Sequence, residues 1–368
     1  MKIVHIVEAA FAGVGRHALD LAESQAKNNE VTVIYSEARL SDSIRKRMVR
    51  NKLIRWVSLE VSRDVGFSDI QAIYHCRKLL NNISPNVVHG HSSKGGLLAR
   101  VCSPRGASTF YTPNAIFTMN PELSVLPRYG ISVVELMLSF RTSKIIAVSP
   151  EERNHIVTLG IKKSKVVLIP NGIDEPTIYN KQSVRKKLGL NQNVKIIGFV
   201  GRLEAQKAPC KIIDVFYEFR KQNKCDTRLA IVGDGPMLAE MRDYSKRKGI
   251  DSSIDWLGFQ NGQWAMCAFD VFFLPSLYEG FPYVIIEAVG CGVPVVASDK
   301  SNASQILESM PNSFIVEFDN NIGFAKCLGD VLSKPPRAGE HAPALAPEFF
   351  VDDMNRSVFD LYRIGASC

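Results

Sequence analysis

Residues 270–299 read DVFFLPSLYEGFPYVIIEAVGCGVPVVASD. An apolar run ends at Pro275, a Gly280-Phe281-Pro282 break follows, a second apolar segment runs to Gly290, and VPVVAS closes the stretch. The outer runs are strand-sized and uninterrupted by polar residues, as strands buried on both faces are. The middle segment is helix-sized; Pro282 suits its first position and Gly290 or Gly292 its end. Strand, turn, helix and strand in that order build a parallel sheet. Glu279 then falls in the loop before the helix and Glu287 about a turn and a half inside it. Carboxylates in so apolar a setting are costly without partners, so these two residues are expected to hold something.

The same alternation extends in both directions. Strand candidates are KIVHIV, VTVIY, IRWVSL, NVVHGH, KIIAVS and KVVLIP in the first half, and VKIIGFVG, RLAIVG, IDWLGF, DVFFLP, VPVVAS and SFIVE in the second. The halves open alike, KIVHIVEAAFAGVGRHALDLA at residue 2 and VKIIGFVGRLEAQKAPCKIIDVF at residue 194, each a strand, a turn and a helix. The fold class is therefore α/β, with two Rossmann-like domains whose parallel sheets face across a cleft. The break LIPNGIDEPTIYN separates residues 1–170 from 171–348. Ser149, Pro150 and Glu152 read as a capping box at a helix start. Beyond the Pro/Ala-rich run SKPPRAGEHAPALAPE, a helix over 349–365 carries an apolar stripe of Met354, Val358, Leu361 and Tyr362, expected to dock on the first domain.

The chain has 368 residues, 46% apolar and 22% charged, which suits two soluble domains. No run approaches the ~20 apolar residues of a membrane span, and Glu8 interrupts the amino-terminal apolar run that a signal peptide would need. A cytoplasmic protein is expected. Eight scattered cysteines without a C-x-x-C pair, Cys368 the last, argue against structural zinc and disulfides. The net charge of +8 peaks in SIRKRMVRNKLIRW, with Arg45, Lys46, Arg47, Arg50, Lys52 and Arg55. That run is either a solvated helix face or a patch for an anionic membrane surface. No nucleic-acid signature accompanies it.

Ligands of open α/β sheets sit beyond the carboxyl ends of the strands. Arg202 and Lys207 lie just past one such end, a fork and a point charge suited to a diphosphate. Glu279 and Glu287 can each accept a pair of vicinal hydroxyls, and the free amides of the helix after Pro282 favour an anion. Weaker signals are Gly233 in VGDGP, Gly13 and Gly15 before the first helix, and HGHSSKGG. In the last, His91, Ser93 and Lys94 could meet a phosphate-bearing acceptor.

In combination these motifs resemble the retaining group 1 (family four) glycosyltransferases of the GT-B fold. EGFPYVIIEA matches their E-x7-E signature and GRLEAQK their Gly-Arg…Lys motif, with IPNGID, VGDGP and Gly258-Phe259 in the expected order. The likeness covers essentially the whole chain, and HGHSSKGG and YTPNAIF are most similar to bacterial O-antigen and capsular polysaccharide members. It implies that Glu287 holds the nucleotide ribose, Glu279 the donor sugar, Arg202 and Lys207 the diphosphate, and Phe259 the base. Gly280, Phe281 and Pro282 would line the sugar and phosphate site, with Gly13 and Gly15 admitting the diphosphate. The implied partners are a nucleotide-sugar and a lipid-linked glycan acceptor. No cofactor is expected, and with no D-x-D triplet no metal either.

Two positions depart from the pattern. Asn114 stands where relatives carry a histidine that reaches the donor sugar, and Ala12 where a paired glycine is common. Competing readings are a glycosidase using Glu279 and Glu287, a nucleotide-sugar epimerase on the same fold, and a catalytically degenerate sugar-nucleotide-binding protein motivated by Asn114.

Overall fold

The structure is a computed structural model that describes residues 1–8, 10–61, 67–223, 225–308, 310–334 and 345–366. Cys368 and residues 335–344 of the Pro/Ala-rich run lie outside the described residues. The chain divides into two units, Met1–Gly172 with Val351–Cys368, and Ile173–Phe350.

In the first unit, among the described residues, seven strands form one parallel sheet: β1 (Lys2–Val7), β2 (Glu30–Tyr35), β3 (Ile54–Ser58), β4 (Val87–His91), β5 (Ser108–Thr112), β6 (Lys144–Ala147) and β7 (Val166–Leu168). Their spatial order is β3-β2-β1-β4-β5-β6-β7. β5 has no counterpart among the strands expected from sequence. It is short, and Pro113 cuts off its aromatic and β-branched run STFYT. Apolar side chains cover both faces. Leu19 and Ala22 of helix Ala12–Gln25 pack on one face, and Leu98 and Cys102 of helix Ser92–Cys102 on the other. Helix Val351–Ala366 joins the first of these layers, where Met354, Val358 and Tyr362 are buried against Leu19 and Phe110.

The second unit holds six parallel strands among its described residues: β8 (Lys195–Val200), β9 (Thr227–Val232), β10 (Ile254–Gly258), β11 (Val271–Leu274), β12 (Val295–Ser298) and β13 (Phe314–Val316), ordered β10-β9-β8-β11-β12-β13. Gly198 in β8 is required by packing, since a Cβ there would stand 2.0 Å from the Phe269 ring. In both sheets the order reverses about the first strand, between β1 and β4 and between β8 and β11. Connections leave such a pair in opposite directions and open a crevice at its carboxyl end.

The described cysteines are free thiols, and no helix of the described residues is long and apolar enough to cross a membrane.

Candidate active site

The loops beyond β8 and β11 carry Arg202, Lys207 and Glu279. The turn 205–207 follows β8, and the loop 275–282 follows β11. The Leu277 amide donates to the Gln206 carbonyl at 2.8 Å, which ties the two together. This brings Lys207 Nζ to 2.5 Å from Glu279 Oε1, with both side chains nearly buried at 15% and 8% exposure. Gln206 Nε2 donates to the Tyr278 carbonyl at 3.0 Å and lies 3.4 Å from Glu279 Oε2. Asn302, past the end of β12 and in a left-handed conformation (φ +53°), donates through Nδ2 to the Glu279 carbonyl at 2.6 Å. The Glu279 loop is thereby pinned through its backbone as well as its carboxylate. Sequence reading missed both Gln206 and Asn302. Their only signal is an amide side chain just past a strand end, where such residues accept left-handed backbone and bond to main chain.

A carboxylate offers about four acceptor sites and an ammonium three donors. One contact of each is spent on the other, so the pair still presents acceptors suited to sugar hydroxyls and donors suited to phosphate oxygens.

Glu287 lies half-buried in helix Tyr283–Gly290, with Oε2 3.4 Å from where a Cβ on Gly262 would stand. Pro282 is the cap of that helix rather than its first residue, because its ψ of 105° is extended. Gly280 is buried, and the Phe281 ring stacks on Phe349, 5.8 Å between centroids. Arg202 is 46% exposed and 3.2 Å from Glu204 Oε2. Gly233 (φ +138°) is dictated by packing: a Cβ would stand 1.9 Å from the Gly201 carbonyl oxygen, and its own amide donates to the Gly258 carbonyl. Phe259, 79% exposed, projects from the adjacent strand end.

At the corresponding crevice of the first unit the polar side chains turn inward. His89 and His91 of β4 and His5 of β1 are fully buried, together with His17 of the first helix. His91, expected at an acceptor surface, instead lies 3.0 Å from His5 through its Nε2. His5 Nε2 pairs with Gln25 Oε1 at 2.8 Å, and His89 pairs with Thr112 Oγ1 at 2.8 Å and with the Tyr362 hydroxyl. Burial lowers all four; His5 and His17 fall to about 4, and these rings are neutral at pH 7. Three ring nitrogens come within 4.8 Å of one another, but the hydrogen bonds already engage the His5 and His89 rings.

Ser93 is exposed, while Lys94 Nζ sits 2.8 Å from Asp69 Oδ1. The glycines of HGHSSKGG are packing residues, since a Cβ on Gly96 would meet the Tyr111 ring at 2.2 Å and one on Gly95 the Ile6 carbonyl at 2.4 Å. Gly15 is equally constrained, since a Cβ there would stand 2.9 Å from the Ala10 carbonyl carbon, and Gly13 stands half-buried in the first turn of the helix. Ala12, at the position of the usual paired glycine, has φ +48°, backbone that glycine adopts without strain.

Asn114 and Ala115 also have positive φ, +54° and +79°. Glu152, read from sequence as a helix cap, holds this turn. Its Oε1 accepts from the Ala115 and Ile116 amides at 2.8 and 2.9 Å, and its Oε2 from the Val148 amide at 2.9 Å. The Ser149 hydroxyl accepts from the Glu152 amide at 3.1 Å, as the capping motif requires. Burial raises the Glu152 carboxyl, and the three amides oppose that shift. Asn114 Nδ2 is buried without a hydrogen-bond partner among the described residues.

An Escherichia coli UDP-Gal:alpha-D-GlcNAc-diphosphoundecaprenol alpha-1,3-galactosyltransferase is 28% identical over 351 residues, 89% of this chain and 87% of that relative. Among solved structures, Anabaena HepE with UDP and glucose superposes with a TM-score of 0.79 at 20% identity over 98% of each chain. Sucrose-phosphate synthase from Thermosynechococcus elongatus superposes with a TM-score of 0.81 at 17% identity over 100% of each. Residues 11–175 match the Glycosyltransferase Family 4 model, and residues 180–343 match Glycosyl transferases group 1. The chain belongs to the group 1/family 4 glycosyltransferases of the GT-B fold.

Proposed function

We propose that this glycosyltransferase moves a hexosyl group from a nucleotide-diphosphate donor to a hydroxyl of a lipid-linked glycan, with retention and without a metal ion. The observation that carries the reading is the Lys207–Glu279 pair at the β8/β11 crevice, which offers cationic donors and carboxylate acceptors side by side. UDP-hexose is the donor class to try first and a diphosphoundecaprenol-linked sugar the acceptor class, because the Escherichia coli relative is named for both.

In this reading the bond between the sugar anomeric carbon and the departing phosphate oxygen breaks as the acceptor oxygen bonds to the same face. The acceptor proton passes to the departing oxygen, so no protein base is required. Lys207 and Arg202 stabilise the charge that grows on the diphosphate, and Glu279 orients the sugar hydroxyls. Glu287 holds the ribose, and the exposed Phe259 ring stacks on the base. Asn114 supplies hydrogen bonds without taking up a proton.

Thermal melts with UDP-, GDP-, dTDP- and ADP-sugars test the donor step, followed by turnover of the stabilising donor in EDTA. A donor at ~100 times its Kd adds about 2.7 kcal/mol of apparent stability. Transfer that persists in EDTA is expected. No shift with any nucleotide-sugar, or release of free sugar from a glycoside without nucleotide, overturns the reading; abolition by EDTA removes the metal-free part alone.

A further inference from the structure

Two cysteines of the second unit, distant in the chain, meet at neighbouring helix ends. Cys267 is the carboxyl cap of helix Gly262–Met266 and Cys291 that of helix Tyr283–Gly290. Both are free thiols. Their sulfurs approach one acceptor, the Gln263 carbonyl oxygen, at 3.6 and 3.7 Å, and a hydrogen bond joins them to each other. That bond lowers Cys267 to about 6 and raises Cys291 in turn. At pH 7 the pair is therefore a thiolate with a thiol beside it, the arrangement of a nucleophilic cysteine and its resolving partner.

The pair is also reachable. Cys267 and Cys291 line a cavity of about 200 Å³ with Phe269, Val293, Lys181 and Lys195, ample for water or a small oxidant, and Cys291 is partly exposed. Cys76 and Cys102 of the first unit adjoin in the same way, but both are fully buried in its core.

Both helices border Glu287. The Cys291 amide donates to the Glu287 carbonyl at 3.0 Å. Gly262 opens the other helix, and a Cβ on it would stand 3.4 Å from Glu287 Oε2. A disulfide holds two sulfurs closer than any non-bonded contact. Its closure would draw the helix ends together and narrow the space in which the Glu287 carboxylate meets a ligand.

We propose that Cys267 and Cys291 form a dithiol/disulfide switch, oxidised by a hydroperoxide, whose closure clamps the helix that carries Glu287 and weakens nucleotide binding. The Cys267 thiolate attacks one peroxide oxygen and the O–O bond breaks. The sulfur becomes a sulfenic acid, and the departing oxygen takes a proton from solvent. The Cys291 sulfur then attacks Cys267, the S–S bond forms, and the hydroxyl leaves as water with the Cys291 proton. The two sulfurs give up two electrons and the hydroperoxide gains them. A small dithiol reverses the step by exchange. The weakening of nucleotide binding rests on the proposed role of Glu287; the cross-link and the clamp are read without donor or acceptor.

The full chain is titrated with hydrogen peroxide, and the products are mapped by peptide mass. A Cys267–Cys291 link that dithiothreitol reverses is expected in the parent, and none in Cys267→Ser or Cys291→Ser. Amides of helix Tyr283–Gly290 should exchange at least ~10-fold more slowly in the oxidised chain, and the Kd for UDP should rise about tenfold. The reduced parent is the control throughout, so the comparison needs no variant to fold. The proposal is overturned if no such link forms, or if Cys76 and Cys102 are linked first. It is equally overturned if the helix exchanges alike in both forms, or if both bind UDP equally well. Link and slowed exchange in a chain that binds no UDP in either form would support the clamp and remove the transferase reading instead.

Discussion

The two sheets share a topology and differ in what they do with polar residues at the switch point. Beyond β8 and β11 the charged groups stand at the crevice: Lys207 and Glu279 hold each other with part of each side chain still open to solvent. Within β1 and β4 the polar side chains are imidazoles folded into the core, hydrogen-bonded to Gln25, Thr112 and Tyr362. Position at a strand end therefore nominates a residue but does not assign it. Burial and partner decide whether the group remains available for a ligand.

Four measurements test that contrast. The largest effect is on acid stability. His5 and His17 titrate at about 4 when folded, against about 6.5 when unfolded. The unfolded chain thus binds more protons between those limits, and stability present above pH 6.5 is lost as pH falls toward 4. Each ring contributes a loss on the order of 3 kcal/mol. Equal melting of the first unit at pH 7.5 and 4.5 would show the histidines to be solvated after all.

Next in size, Glu279→Gln should lower kcat/KM by about 10²–10³. Because the pair is nearly buried, the variant also leaves Lys207 uncompensated and should melt earlier. Activity at the parent level would move the chemistry away from this crevice.

Glu152→Ala strands three backbone amides and frees the left-handed turn at Asn114. A cost of roughly 3 kcal/mol in stability is expected, together with a fall in kcat that Glu152→Gln partly restores. If both variants turn over like the parent, Glu152 is only a cap. Smallest of the four, Arg202→Ala should reduce kcat/KM about tenfold with no change in melting, since its exposed pairing with Glu204 carries little stability. A larger loss would rank it with Lys207.

Much of this was legible in the sequence because unbroken β-branched runs have few alternatives. The opening stretch is strand, loop, helix and strand in the structure, with Glu279 and Glu287 in the loop and helix as read. The contact between Lys207 and Glu279 was not legible. They are 72 residues apart, and only the order of β8 and β11 makes their loops neighbours. Asn302 was invisible for the same reason. Glu152 was found but misjudged: its local capping signal is correct, and its two bonds to residues 115 and 116 depend on β5 and β6 pairing.

The first unit is assembled from two distant pieces of chain. Tyr362 meets His89 across 273 residues, and the Ser108 hydroxyl donates to the Gly365 carbonyl across 257. On the ribosome, β1 to β7 are made before the second unit, and the helix that seals one face of their sheet follows only after it. The second unit is one uninterrupted segment, and all its strands have emerged by then. The second unit is therefore complete before the first, and translation halted just after Phe350 yields a finished second unit tethered to an unsealed first one, a ready substrate for chaperones and proteases.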